Sequence, residues 1–242
     1  MDIQEEYKLL NKNKFPLDEI FAFSEKLKNS NNIDYHFHLL VYEKNISQIL
    51  HKNLVISFLL YWKQGITFLE DKLDSDNKIE AVYASSFLSS QLEHSKNNDI
   101  NIENLVNHLR DFIKLENCEL RRESIIALGQ VGTEEDLDIF CNILLNDSDD
   151  SCRVWAINAI CSLTPRVSKD ILQKKVCDAL FNSLTNETNL LVVAHVISTV
   201  QSLWEQKLGI SCINPKIIES DKISKSRNKA LKILHKFRRK VG

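Results

Sequence analysis

Apolar positions along this chain recur every three to four residues, in segments separated by short polar stretches. The clearest segment runs from 144 to 163, where an apolar end is followed by an acidic turn and a second apolar stretch. At 100° per residue, one broad face of that second stretch carries Cys152, Ala156, Ile157, Ala159, Ile160 and Leu163. The pattern predicts two helices joined by a turn, with small residues that allow close packing of the second helix.

The rest of the chain also favours helices over strands. Long stretches lack the alternation of half-buried strands, and five Gly and three Pro are few for a protein of many tight turns. Helices are predicted over Asp2–Asn13, from Pro16 to about Asn29, and as a pair over 34–73 divided near His51–Asn53. Residues 1–76 show no clear repeat, so we expect them to form an N-terminal helical cap.

Residues 77–242 contain a repeated helical pattern. Its anchor positions are Ala84, Ser124, Ala156, Ala194 and Ala230, at spacings of 40, 32, 38 and 36 residues. Three of the five units carry an arginine three residues before the anchor, namely Arg121, Arg153 and Arg227. First helices of the units are predicted over about 102–115, 134–146, 168–184 and 215–221. Thr133 is expected to begin one of them with a capping box.

These residues resemble HEAT repeats, in particular the short bacterial type also found in phycobilin lyases. The resemblance covers about 77–240 and is strongest over 118–163, where an acidic turn, a small apolar residue, Arg153 and Ala156 follow one another. It implies an all-α, right-handed superhelix of antiparallel helix pairs, with second helices lining a concave face. The units at Ala84 and Ala194 depart from the pattern, since Ala81 and Leu191 replace the arginine.

The repeated arginines are interpreted as structural residues. Arg153 lies close enough to the acidic turn for an ion pair with Asp147 or Asp149, and Arg121 and Arg227 occupy the same place in their units. Such a pair would lock the turn to the second helix.

The positions that the second helices turn away from the core are the candidate binding residues. A solvated face should be polar, but three of the five units carry apolar side chains there. The residues expected to contact a partner are Val82, Tyr83, Val154, Trp155, Val192, Val193 and Val196, with Arg122 and Glu123 giving orientation. The alternative is that neighbouring repeats cover these side chains.

Charge is unevenly distributed around a net value of −2. Lys222–Gly242 carries nine Lys or Arg and no acid, which leaves 22 bases and 33 acids elsewhere. The segment 225–240 predicts an amphipathic basic helix that closes the stack. Nucleic acid is a disfavoured partner because the rest of the surface is acidic and would oppose a phosphate backbone.

No pattern of a known reaction centre occurs. The chain has no G-x-S-x-G, P-loop, G-x-G-x-x-G or H-E-x-x-H motif, and the pair His36 and His38 has no third ligand at a useful spacing. Six Cys without a C-x-x-C pair suit reduced, buried thiols. We therefore expect no catalytic residue, metal or cofactor.

The apolar run 54–62 is too short to span a membrane, and the first residues lack a secretory signal. A soluble, cytoplasmic and, from its Lys, Asn and Ile content, bacterial protein is expected. The predicted function is non-catalytic recognition of another protein, as a regulator or a toxin-neutralising immunity protein. A homodimer through the apolar strip that Val82, Tyr83, Val154, Trp155, Val192, Val193 and Val196 would form is a further possible use. The alternative is an enzyme on the same scaffold that acts on nucleic acid or a small ligand, resembling a DNA glycosylase or a bilin lyase.

Overall fold

The computed structural model describes residues 2–94, 99–210 and 220–241. Over these ranges the chain forms thirteen α-helices and one 3-10 turn, and contains no β-strand. The predicted all-α class is therefore confirmed, while the handedness of the helical stack stays a prediction. Internal contacts divide the chain into two compact units, residues 1–101 and 102–242.

The first unit contains six helices around an aromatic core. They are α1 (Ile3–Lys12), α2 (Leu17–Asn29), α3 (Ile33–Tyr42), α4 (Gln48–Leu59), α5 (Trp62–Leu73) and α6 (Lys78–His94). The rings of Phe37, Phe58 and Phe87 lie 5.5 to 6.1 Å apart between centroids. Because these rings come from α3, α4 and α6, they join three helices of the unit.

A buried histidine connects two helices of this core. The Nε2 atom of His36 lies 2.9 Å from the carbonyl oxygen of Leu54, and its side chain is fully buried. Burial lowers the pKa of His36 to about 4, so the imidazole is neutral near neutral pH. His36 is therefore a packing residue between α3 and α4.

The segment 34–73 differs from its prediction, because it forms three helices and not two. His51 and Asn53 lie inside α4, and the breaks fall at 43–47 and 60–61. Ser47 begins α4 by accepting a hydrogen bond from the backbone N–H of Leu50 at 3.1 Å. The second break contains neither Gly nor Pro, and it is made by Trp62 with φ of +50°. Such a turn gives no sequence signal.

The second unit is a two-layer stack of helix pairs. Its helices are α7 (Ile102–Phe112), α8 (Cys118–Val131), α9 (Leu137–Asn146), α10 (Asp150–Ser162), α11 (Lys169–Asn186), α12 (Leu190–Leu203) and α13 (Ser220–Val241). Within each pair, α7 packs on α8, α9 on α10 and α11 on α12. The second helices α8, α10 and α12 pack side by side in that order, and α9, α11 and α13 form the other layer.

The predicted first helices are α7, α9 and α11, within a few residues at their ends. The capping box at Thr133 is confirmed, with Asp136 as its acidic partner, although a 3-10 turn over Glu134–Asp136 precedes α9. The basic terminal helix is α13. The short helix predicted at 215–221 lies mostly outside the described residues.

One capping turn recurs before the second helices. Asn117, Asp149 and Asn189 each accept a hydrogen bond from a backbone N–H two or three residues further on, at 2.8 to 3.2 Å. Asn77 does the same at the start of α6 in the first unit. These caps satisfy N–H groups that a helix start leaves without partners. They therefore mark the same structural position in four helices.

The cap positions correct the register predicted for α12. Counted from the cap, Ala84, Ser124 and Ala156 are equivalent, and their counterpart in α12 is Val196 and not Ala194. The arginine position of that unit is then occupied by Val193. The alternation of buried and partly exposed positions along α8, α10 and α12 agrees with this alignment. The sequence pattern pairs Ala194 with Ala156 because both are alanines, although the true counterpart, Val196, lies two residues further on.

The unit boundary at 101/102 lies later than the boundary at 76/77 that the repeat pattern suggests. The first boundary follows contacts between residues, whereas the second follows sequence similarity between the repeats. The division into residues 1–76 and 77–242 stays a prediction.

Candidate functional site

A narrow stripe of each second helix is left open by its neighbours. The central helix α10 lies between α8 and α12 and packs on α9, so only positions spaced three and four residues apart face outward. In the second unit, the main side chains of this stripe are Glu123, Ile126, Trp155, Asn158, His195 and Ser198, all partly exposed or exposed. We call these six residues the second-helix face.

The structure corrects five of the predicted contact residues. Val82, Val192, Val193 and Val196 are fully buried, and Val154 is 7% exposed. These valines lie on the inward side and flanks of their helices, where neighbouring helices cover them. The predicted apolar strip is therefore core at these five positions.

The four remaining predicted residues keep some exposure. Trp155 is 37% exposed, and Tyr83, Arg122 and Glu123 are partly exposed. Tyr83 occupies in α6 the cap-relative position that Glu123 and Trp155 occupy in α8 and α10. Their role in partner binding stays a prediction.

Close approach of two backbones sets the spacing between α8 and α10. A Cβ atom added to Gly129 would lie only 2.8 Å from the Cβ of Ala159. The two helices therefore touch through their smallest side chains, at the short end of the usual 8 to 10 Å between packed helix axes. This contact places Glu123 and Trp155 on neighbouring ridges of one surface.

Polar contacts between α10 and α12 continue this surface. The Nδ1 atom of His195 lies 3.1 Å from the side-chain oxygen of Asn158, and the Sγ atom of Cys161 lies 3.2 Å from the hydroxyl of Thr199. Burial lowers the pKa of His195 below its ordinary value of 6.5. His195 is therefore a packing residue that contacts Asn158, and it also belongs to the second-helix face.

Glu123 is the charged group of the second-helix face. Burial raises the pKa of its carboxyl above 4.5, and the neighbouring positive charge of Arg122 opposes that rise only in part. Among the described residues, Glu123 makes no hydrogen bond or ion pair through its carboxylate. The face therefore contains a carboxylate that is partly removed from water and lacks a direct cationic partner.

The repeated arginines connect the turns of successive helix pairs. Arg121 donates two hydrogen bonds to the Asp147 carboxylate, from Nε at 3.0 Å and from an Nη atom at 2.9 Å. Its other Nη atom donates to the carbonyl oxygens of Leu115 and Glu116 in its own turn. The side chains of Arg121 and Asp147 are 12% and 9% exposed, so the pair is nearly buried. It joins the turn before α8 to the turn before α10.

Arg153 repeats this arrangement one unit later. Its Nε donates to the Glu187 carboxylate at 2.8 Å, and one Nη donates to the carbonyl oxygen of Asp147 at 2.9 Å. A further hydrogen bond of 2.6 Å reaches Asp150.

The predicted partners of Arg153 are therefore corrected. The carboxylate of Asp147 pairs with Arg121, and the carboxylate of Asp149 caps α10 by accepting a hydrogen bond from the N–H of Cys152. Arg227 contacts the same turn as Glu187 from α13, through the carbonyl oxygens of Leu184 and Glu187. The sequence missed Glu187 because it lies 34 residues from Arg153 and has no local pattern in common with it.

The thiols of Cys141 and Cys152 are not activated. Burial raises the pKa of Cys152 and of Cys141 to about 12, so both thiols stay protonated at neutral pH. In the described part of the chain, no three His, Cys, Asp or Glu side chains are grouped to hold a metal ion.

An open cleft of about 380 Å³ lies away from Trp155, between the C-terminal ends of α9 and α11. Its lining includes Leu145, Asn146, Arg153 and Glu187, so it lies beside the arginine contacts of the turns. The hydrogen bonds of Arg153 described above already occupy most of its donor groups.

Comparison with protein-family models matches residues 67–161 to the family described as HEAT repeats. Residues 67–161 are HEAT repeats. The predicted resemblance is thereby confirmed over residues 77–161, and the matched segment contains Tyr83, Glu123 and Trp155. Comparison with curated proteins and with solved structures finds no match.

The family match covers the part of the second-helix face that lies on α8 and α10. The helix pairs of α9 and α10 and of α11 and α12 have the same capping turns, although the latter pair lies beyond the matched residues. No helix in the described ranges has the length and apolar character needed to cross a bilayer.

Proposed function

We propose that this protein binds another protein, without catalysis, through the second-helix face of its HEAT repeats. The observation that carries the proposal is the exposure of Trp155 on that face. An indole that is 37% exposed, on a helix whose other apolar side chains are mostly buried, suits an interface anchor. HEAT repeats generally mediate interactions between proteins, which agrees with this use of the surface.

The chemistry of the face supports recognition over reaction. Its polar groups are one carboxylate, one amide, one imidazole and the hydroxyl of Ser198, and the amide and the imidazole already contact each other. The thiols of Cys141 and Cys152 are protonated, so neither is prepared for nucleophilic attack. A small bacterial regulator or a toxin-neutralising immunity protein would need only such a preformed surface.

Affinity capture from native cells tests the proposal. The wild type is compared with Trp155→Ala and with Leu145→Ala, whose exposed side chain lies at the end of α9 in the other helix layer. Equal circular dichroism and melting temperatures of the three proteins are required first. We expect a protein that is retained by the wild type and by Leu145→Ala and is lost with Trp155→Ala.

Two outcomes oppose the proposal. Retention of the same protein by Trp155→Ala would remove the second-helix face as its binding site. Recovery of nucleic acid, with binding that weakens steeply as salt rises, would favour the alternative of a nucleic-acid-acting protein.

A further inference from the structure

We propose that Glu123 and Trp155 form a subsite for a basic side chain of the partner protein, with arginine preferred. This inference rests on the proposed function, because it names the chemistry that the same face would recognise. The occupant is a guanidinium or ammonium group that pairs with the carboxylate and lies against the indole.

Glu123 and Trp155 lie at equivalent positions of neighbouring helices. Glu123 and Trp155 are both the sixth residue after the capping residue of their helices, Asn117 and Asp149. The contact between Gly129 and Ala159 brings the backbones of the two helices close together. Side chains that point outward from equivalent positions at this spacing can contact one planar group between them.

The Glu123 carboxylate is available to a cation of the partner protein. Within the described ranges no cation lies within ion-pair distance of it, while the arginines of the repeat, Arg121 and Arg153, are held by other carboxylates. The adjacent positive charge of Arg122 compensates only in part for the burial of this carboxylate, and Glu119 adds a like charge nearby. A partly desolvated carboxylate without a partner is a cost in the free protein that an arriving cation removes.

The neighbouring indole of Trp155 also favours a cation. Tryptophan binds cations on its ring face more strongly than the other aromatic side chains do. Arginine suits the combination best, because its planar guanidinium stacks on an aromatic ring and pairs with a carboxylate along its edge.

Other occupants fit the same two groups poorly. An anionic side chain would be repelled by Glu123. An apolar side chain would complete the burial of that carboxylate without a hydrogen bond, which is costly. A basic side chain is therefore the class of group that both Glu123 and Trp155 favour.

A titration with small probes tests the subsite without the partner. The indole N–H signal of Trp155 is followed by two-dimensional NMR of the full chain and assigned with Trp155→Phe. The probes are Nα-acetyl-arginine amide and its neutral counterpart Nα-acetyl-citrulline amide, which has nearly the same shape. We expect the arginine probe to shift the Trp155 signal to saturation and the citrulline probe to leave it in place.

Two carboxylate variants locate the effect. Glu123→Gln keeps the shape of the side chain and should weaken binding of the arginine probe about fivefold or more, as expected for loss of a partly buried ion pair. Glu103→Gln removes an exposed carboxylate from the first turn of α7 and should leave the affinity unchanged. Equal shifts by both probes, or equal affinity of the wild type and Glu123→Gln, would overturn the subsite.

The two proposals fail in different ways. Partner capture that depends on Trp155 but is unaffected by Glu123→Gln would retain the recognition face and remove the subsite. Charge-dependent probe binding together with a partner that Trp155→Ala retains would do the reverse.

Discussion

Arg121 and Asp147 are 26 residues apart in the sequence, yet they form a two-bonded ion pair that is nearly sealed from solvent. The pair joins the turns of two successive helix pairs. Arg153 and Glu187 repeat it in the following unit. The stack is therefore held together by its apolar core and by ion pairs between successive turns.

Arg121→Ala should destabilise the protein by about 2 to 4 kcal/mol, because it leaves the Asp147 carboxylate buried without its cation. The measurement is chemical unfolding, followed by circular dichroism. Lys114→Ala is the matched control, since it breaks the exposed pair of Lys114 and Asp111 and should cost less than about 1 kcal/mol. Similar losses of unfolding free energy in the two variants would show that the ion pair of Arg121 and Asp147 adds no more stability than an exposed pair.

Val193 and Leu191 test the corrected register of α12. Val193 is fully buried at the arginine position of its unit, whereas Leu191 is 37% exposed. Val193→Ala should cost about 2 kcal/mol, and Leu191→Ala less than about 1 kcal/mol. A larger loss for Leu191→Ala in urea unfolding would restore the register in which Leu191 is the counterpart of Arg153.

Glu123 predicts a pH effect of a definite sign. Its pKa is raised in the folded protein above the ordinary value of 4.5, so folding favours the protonated acid. This contribution is fully present below pH 4.5 and is lost as the pH rises through the folded pKa. Glu123→Gln should therefore melt at a higher temperature than the wild type at about pH 7, and the difference should shrink toward about pH 4. A wild type that melts higher near neutral pH would contradict the unpaired state of Glu123.

His36 predicts the opposite trend for the first unit. Its pKa falls from 6.5 to about 4 on folding, so the unfolded chain binds the proton more readily. Stability that is present above pH 6.5 should be lost as the pH falls toward 4, by about 3 kcal/mol in total. Urea unfolding from about pH 7 to about pH 4 measures the slope, and His36→Gln should remove it while lowering stability at neutral pH. An unchanged slope in His36→Gln would assign the acid sensitivity to other groups.

The sequence was most informative where a local rule sufficed. The capping box at Thr133 and the small-residue face of α10 both follow from side chains within a few residues of one another. The break before Trp62 and the register of α12 did not follow, because neither Gly nor Pro marks the first and an alanine misplaces the second. The caps at Asn117, Asp149 and Asn189 were a usable signal that anchors based on alanine obscured.

The candidate site was predictable only in part. Tyr83, Trp155, Arg122 and Glu123 remain accessible, but five valines on the same predicted strip are core. Helical periodicity distinguishes an inward face from an outward face. It does not tell how far neighbouring helices cover the flanks.

The sequence by itself determined the helical class and the resemblance of part of the chain to HEAT repeats, because periodicity, capping residues and small-residue spacing are local properties of the chain. Only the tertiary structure decided which carboxylate each arginine holds and which outward positions remain open. Those outcomes depend on contacts between residues 26 to 34 positions apart, as between Arg121 and Asp147 or Arg153 and Glu187. At such distances along the chain, packing geometry and not sequence spacing determines which charges meet.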